Sequence, residues 1–151
     1  MIQPEFIRAL QSVVGSSAVL TAESDLRLYE YDGGVDKARP DAVVFPKSTE
    51  EVAALVRLSK EHRVAIVGRG AGTGLSGGVI ARAGGLMIAF SRMNRIVEID
   101  IENECAVVEP GVVNLDISLA VAPFGYFYAP DPSSQKACTI GGNVGENSGG
   151  P

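Results

Sequence analysis

From Pro4 to Val14 the apolar residues Phe6, Ile7, Leu10, Val13 and Val14 recur at a spacing that gathers them on one face of a helix. Pro4 and Glu5 suit its first turn and Gly15 its stop. The stretch from Thr21 to Ala38 is mixed. It predicts loop with a short helix, offers Leu26, Leu28 and Tyr31 for packing, and turns at Tyr31-Asp32-Gly33-Gly34. Ala42-Val43-Val44-Phe45 is an apolar run between Pro40 and Pro46, and therefore a strand. Ser48 or Thr49 then caps a helix whose first turn carries Glu50 and Glu51, acids that favour a helix start. Val52, Leu55, Val56 and Leu58 give that helix an apolar face as far as Glu61. Val64 to Val67 is the next strand, so the unit reads strand, helix, strand, which for parallel strands implies a right-handed crossover.

The second half is richer in short strands. Leu86 to Phe90, Ile96 to Ile99 and Ala106 to Val108 each read as one, the last closed by Pro110-Gly111. Leu115, Leu119 and Ala122 place a helix over Val113 to Ala122, ending before Pro123. No internal repeat, heptad or low-complexity tract interrupts the chain.

The 151 residues suffice for one domain or two small lobes, and 46% hydrophobic with 21% charged residues is ordinary for a soluble globular protein. No apolar run approaches the roughly 20 residues that span a bilayer. The start Met1-Ile2-Gln3-Pro4 lacks the basic and apolar regions of an export signal, so a cytoplasmic location is expected. Cys105 and Cys138 have no metal-ligand spacing and read as reduced thiols; no metal site is expected. With 13 basic against 18 acidic residues and a net charge of −5, nucleic-acid binding has no electrostatic basis. The chain stops at Ser148-Gly149-Gly150-Pro151, directly after a Gly and Asn cluster, which predicts a fragment of a longer protein.

Two glycine-dense segments carry the candidate chemistry. Glycine permits close backbone approach but costs more folding entropy than other residues, so its concentration points to a ligand held by backbone. In the first, Gly72-Thr73-Gly74-Leu75-Ser76-Gly77 fits the G-x-G-x-x-G pattern after a strand. Only residues 78–85 precede the next strand, however, fewer than the ~10–12 residues of a crossover helix, so a Rossmann unit is set aside. A Walker A loop would need Lys followed by Ser or Thr, which are absent. What remains is a non-helical nest of backbone N–H groups with the Thr73 and Ser76 hydroxyls, suited to phosphate oxygens. A turn that only links two strands is the plainer reading, and six glycines in the eleven residues from Gly68 to Gly78 speak against it. Arg69 reads equally as a phosphate partner or as a surface charge beside the strand. In the second segment Pro130-Asp131-Pro132 forms a stiff ledge. Ser133, Ser134, Gln135 and Thr139 follow with polar groups, and Gly141-Gly142-Asn143 with bare backbone. Such a wall suits a flat heteroaromatic ligand.

Three motifs in order carry a family resemblance: Pro46-Lys47-Ser48-Thr49-Glu50-Glu51-Val52, Arg69 through Gly78, and Tyr128 through Val144. From Pro40 to Pro151 the chain resembles the amino-terminal half of the FAD-binding domain of the vanillyl-alcohol oxidase and p-cresol methylhydroxylase flavoproteins, in the branch of the glycolate oxidase D subunit and D-lactate dehydrogenase. The resemblance implies an α+β fold of two small α/β lobes, truncated in the second. Residues 1–39 form an N-terminal helical segment, 40–100 the first FAD-binding lobe and 101–151 the start of the second. It implies that the backbone of Arg69, Gly70, Ala71, Gly72, Thr73 and Gly74, with Ser76 and Gly77, holds the pyrophosphate. It further implies that Pro130, Asp131, Ser134, Cys138, Thr139, Gly141, Gly142, Asn143 and Gly145 line the ribityl chain and flavin ring.

Some relatives attach FAD through a His in or near the first glycine segment. Leu75 and Ser76 stand there, and the one His, His62, lies near a helix end, so non-covalent FAD is expected. The implied reaction is oxidation of a 2-hydroxy acid such as glycolate or D-lactate to the 2-oxo acid, with hydride passing to flavin N5. The base and the cation for the substrate carboxylate belong to a later domain, so no catalytic residue is assigned here, and electron-transfer subunits are expected partners. Glu50, Glu51, Glu102 and Glu104 read as helix-start and loop charges. The competing reading is a non-catalytic nucleotide-binding fragment.

Overall fold

The computed structural model describes residues 2–150. Helix α1 spans Pro4–Val14, with the predicted proline start and Gly15 stop, and buries Phe6 and Leu10. Strand β1 is Val19–Leu20, and helix α2 is one turn, Glu23–Leu26, followed by a 3₁₀ turn. Leu26 is buried, whereas Leu28 and Tyr31 are exposed; Tyr29 takes their place against the Phe45 ring at 5.9 Å. Strand β2 is Ala42–Val44 and helix α3 is Thr49–Glu61. Ser48, not Thr49, caps α3: its hydroxyl accepts the Glu51 N–H at 3.3 Å while the Glu51 carboxylate accepts the Lys47 N–H at 2.8 Å. This is a variant of the reciprocal capping box. The buried stripe of α3 runs through Leu55 and Ser59, leaving Val56 exposed.

Strands β3 (Ile66–Arg69) and β4 (Leu86–Ala89) complete a sheet in the order β1-β2-β4-β3. β2, β4 and β3 are mutually parallel, and β1 closes the edge antiparallel to β2. Strands of a parallel sheet are covered on both faces and read as unbroken apolar runs. Ala42, Val44, Leu86 and Ile88 face α1 and α3 with Phe6, Leu10 and Leu55, while Val43, Met87 and Ala89 face Leu26 and Tyr29. Each fully buried large side chain there contributes about 1.5–3 kcal/mol. Residues before 40 are thus built into this lobe: α1 packs on α3, and β1 belongs to the sheet.

β3 lies two residues later than the periodicity of Val64 to Val67 predicts. The chain leaves α3 through Arg63 at φ 54° and returns the Val64 N–H to the Ser59 carbonyl at 2.8 Å, which uses up the first of those residues. The sixteen-residue link 70–85 then joins two adjacent parallel strands without a helix, so the first glycine segment leaves the carboxyl end of β3, where open α/β sheets bind ligands.

Strands β5 (Ile96–Asp100) and β6 (Cys105–Val108) form a separate antiparallel hairpin with an irregularity between Ile96 and Glu98. Helix α4 is Asn114–Val121. The second glycine segment, expected to present bare backbone, folds from Ile140 to Glu146 as helix α5. The Pro110 carbonyl accepts the Gly141 N–H at 2.9 Å, and a Cβ on Gly141 would lie 2.7 Å from the Pro110 Cβ. Glycine lets α5 approach the end of the hairpin, which offsets its low helix propensity.

Candidate functional site

The two glycine segments meet face to face. A Cβ on Gly70 would fall 2.1 Å from Thr139 Oγ1, and Ser76 Oγ donates to Glu146 Oε2 at 2.9 Å. Between them lies a cavity of about 440 Å³, walled on one side by Gly70 to Ser76 and on the other by Pro132 to Ser134, Cys138, Thr139, Gly142 and Asn143. A second compartment of about 420 Å³ adjoins it through Gly70, Thr139 and Gly142, and is closed by Phe90, Pro110, Gly141 and Gly145. The arrangement is one cleft in two compartments.

Most of the expected ligand-binding residues border it. Gly70, Ala71, Gly72, Thr73, Gly74, Ser76, Ser134, Cys138, Thr139, Gly142 and Asn143 line the first compartment, and Arg69, Gly141 and Gly145 the second. Gly77 and Asp131 line neither; the Asp131 N–H instead donates to the Gly149 carbonyl at 2.8 Å. Pro130 borders a separate groove with Val144 and Asn147.

The Arg69 side chain is not the surface charge that the sequence allows. It is 6% exposed, donates from Nη1 to the Tyr31 carbonyl at 2.8 Å, and sits 5.6 Å from the centre of the Tyr29 ring. Arg69 lies inside β3 on the buried face of that strand, and burial pulls its guanidinium below the ordinary arginine value. Arginine stays charged even so. The guanidinium lies beneath the glycine segment, where it props Gly72.

Three observations describe what the cleft accepts. Among the described residues, the N–H groups from Ala71 to Ser76 have no protein acceptor. Buried Thr139 Oγ1 and Asn143 Nδ2 likewise have no partner. Unpaired buried polar atoms are costly, so their presence on one wall opposite a row of free N–H groups marks a place for a polar ligand. Glu146 is wedged against the loop, its carboxylate 2.7 Å and 2.2 Å from where Cβ atoms on Gly74 and Gly78 would be. Its one hydrogen bond from the loop comes from the Ser76 hydroxyl. Neither Glu146 nor Asp32, whose carboxylate accepts the Gly77 N–H at 3.1 Å, carries a local sequence signal for these contacts. Each comes from a distant part of the chain.

His62 lies apart from the cleft, its ring 5.0 Å from that of Phe6, and borders a different cavity with Asp41 and Arg63. Cys138 is buried and Cys105 exposed. No helix among the described residues is long and apolar enough to cross a membrane.

Comparison with known proteins agrees with this geometry. The chain is 45% identical over 151 residues to the glycolate oxidase subunit GlcD of Bacillus subtilis, covering 99% of this chain and 32% of that protein. It is 43% identical over 114 residues to a D-lactate dehydrogenase of Anaerostipes hadrus, covering 76% of this chain and 24% of the relative. The chain therefore spans a third or less of these curated relatives. Among solved structures, an alkyldihydroxyacetonephosphate synthase superposes with a TM-score of 0.89 at 24% identity, covering 99% of this chain and 33% of that one, a likeness of fold. The sequence profile described as "FAD binding domain" matches residues 40–151, the region that supplies both walls of the cleft. An α+β chain whose matched region supplies both walls of the cleft, one with loop N–H groups that have no protein acceptor and the other with unpaired buried polar atoms, belongs to the FAD binding domain family, and its cofactor is FAD.

Proposed function

We propose that this chain is the FAD-binding portion of a flavin-dependent oxidoreductase that oxidises a 2-hydroxy acid of the glycolate or D-lactate type to the 2-oxo acid. The observation that carries the reading is that two walls of one cleft carry loop N–H groups at Ala71 to Ser76 without a protein acceptor and buried Thr139 Oγ1 and Asn143 Nδ2 without a partner. Bound FAD supplies the acceptor for the substrate hydride. The Ala71 to Ser76 backbone holds the pyrophosphate by hydrogen bonds to an anion, which are stronger than neutral ones. The Glu146 carboxylate, which lies against Gly74 and Gly78, would have to swing away to make room for the pyrophosphate. Thr139 and Asn143 orient the flavin half, with Cys138 and the proline-stiffened Pro132 wall excluding water from it.

The attachment in this reading is non-covalent: Leu75 and Ser76 occupy the first glycine segment, and the one His, His62, borders a different cavity. The base for the substrate hydroxyl and the cation for its carboxylate lie outside this chain. Electron-transfer subunits and a cytoplasmic location complete the reading.

Thr139→Val tests the cofactor wall with two readouts of opposite sign. Valine keeps the volume and removes a hydroxyl that has no protein partner, so the flavin-free protein holds its stability or gains about 1 kcal/mol. FAD affinity falls about tenfold, as for one lost hydrogen bond. Unfolding midpoints of the flavin-free protein and fluorescence titrations with FAD read the two effects, and an unchanged FAD affinity would remove Thr139 from the site. The reaction itself is tested by mixing the full-length flavoprotein anaerobically with glycolate or D-lactate and following the flavin absorbance. Bleaching is expected. A flavin that dithionite reduces but no 2-hydroxy acid does would overturn the substrate class.

A further inference from the structure

We propose that Asp32 is a positioning residue for the glycine loop, and that residues 29–34, which precede the matched FAD-binding region, form a strap that holds the loop in its binding shape. The inference rests on the reading of that loop as the pyrophosphate site. Asp32 is 8% exposed. Its Oδ1 accepts the Gly34 N–H at 2.7 Å, which closes the turn, and its Oδ2 accepts the Gly77 N–H at 3.1 Å across 45 residues of sequence. Beside it the Gly33 N–H donates to the Gly74 carbonyl at 2.9 Å. The Tyr31 carbonyl accepts Arg69 Nη1 at 2.8 Å, and the same guanidinium rests over the Tyr29 ring. The strap therefore grips the loop at its start, its middle and its end.

A glycine-rich loop is costly to order, and a ligand that must order it binds more weakly than one that finds it ordered. The strap takes up the Gly74 carbonyl and the Gly77 N–H and leaves the N–H groups from Ala71 to Ser76 without a protein acceptor. The side chain has to be short and carry two acceptor oxygens to reach both Gly34 and Gly77. Asparagine retains one acceptor oxygen, and alanine none.

The test is an FAD fluorescence-quenching titration of the full-length protein after its flavin has been stripped, with melting of the flavin-free protein measured alongside. Asp32→Ala should raise the FAD dissociation constant about tenfold, and Asp32→Asn should fall between it and wild type. Val44→Ala, at a fully buried core position of β2 away from the cleft, should lower the melting midpoint at least as much. It should leave FAD affinity within about twofold of wild type, as expected for independent sites. An Asp32→Ala or Asp32→Asn protein with wild-type affinity overturns the proposal. So does a Val44→Ala protein weakened as much as Asp32→Ala, because FAD binding would then follow global stability alone. Wild-type protein that does not quench FAD refutes the cofactor site itself and not the strap.

Discussion

Replacing Gly72 by valine should weaken FAD binding at least about a hundredfold, equivalent to ~2.7 kcal/mol. Two costs add at this position. Gly72 sits at φ +72°, a left-handed conformation that costs a residue with a Cβ about 1–2 kcal/mol, and more for a β-branched one. A Cβ there would also lie 2.3 Å from Arg69 Nη2 and 2.6 Å from its Cζ. The guanidinium cannot step aside cheaply. It is held by the Tyr31 carbonyl and the Tyr29 ring in a buried site, and a hydrogen bond to a charged group is worth about 1.5–3 kcal/mol. The loop consequently leaves its observed path, and its free N–H groups move with it. The loop itself is solvated at the cleft edge, so the penalty falls on binding more than on folding. Quenching titrations of the stripped full-length protein measure it, and a Gly72→Val protein with near-wild-type affinity would show that the loop does not hold the cofactor.

Gly111→Ala should act on the fold instead, costing about 3 kcal/mol or more. Its Cβ would lie 2.2 Å from the Phe90 carbonyl oxygen and 2.6 Å from that of Met93, contacts with backbone that no side-chain rotation relieves. Gly111 also donates to the Met93 carbonyl at 2.7 Å and follows Pro110, whose carbonyl accepts the Gly141 N–H. The substitution therefore parts the end of β4 from the wall carrying α5. Expected results are a melting midpoint lowered by roughly 6 °C or more and loss of retained flavin. A Gly111→Ala protein that melts with wild type would mean that this junction relaxes without cost.

Much of the first lobe was legible because its signals are local. Pro4 and Gly15 bracket α1, Pro40 and Pro46 bracket the run around β2, and Ser48 with Glu51 marks the start of α3. The elements that escaped depend on distant partners. β3 is displaced because the exit from α3 folds back on Ser59, and the later strand takes in Arg69, whose side chain is buried and is no surface charge. α5 forms in a glycine-rich stretch of weak propensity because Pro110 and Thr139 need a close neighbour. Tyr29 in place of Leu28 and Tyr31 follows from where Phe45 emerges beneath the sheet.

The same distinction holds for the site. Both glycine segments announce backbone contact, and together they frame the cleft. That they touch each other at Gly70 and Thr139 is a property of the fold alone. The contacts of Asp32 and Glu146 with the loop span 45 and 70 residues of sequence; the sequence marks a turn at Asp32 but not the partner it holds, and no local pattern marks Glu146. Sequence reasoning finds the residues whose chemistry is unusual; it misses ordinary carboxylates that become special through placement.

Acid precipitation of the purified full-length protein, followed by identification of whatever flavin appears in the supernatant, tests the central claim most directly. The account predicts a yellow protein that releases FAD in stoichiometric amount into solution. A colourless protein that leaves added FAD fluorescence unquenched would contradict the cofactor cleft, and flavin retained on the precipitate would contradict its non-covalent attachment.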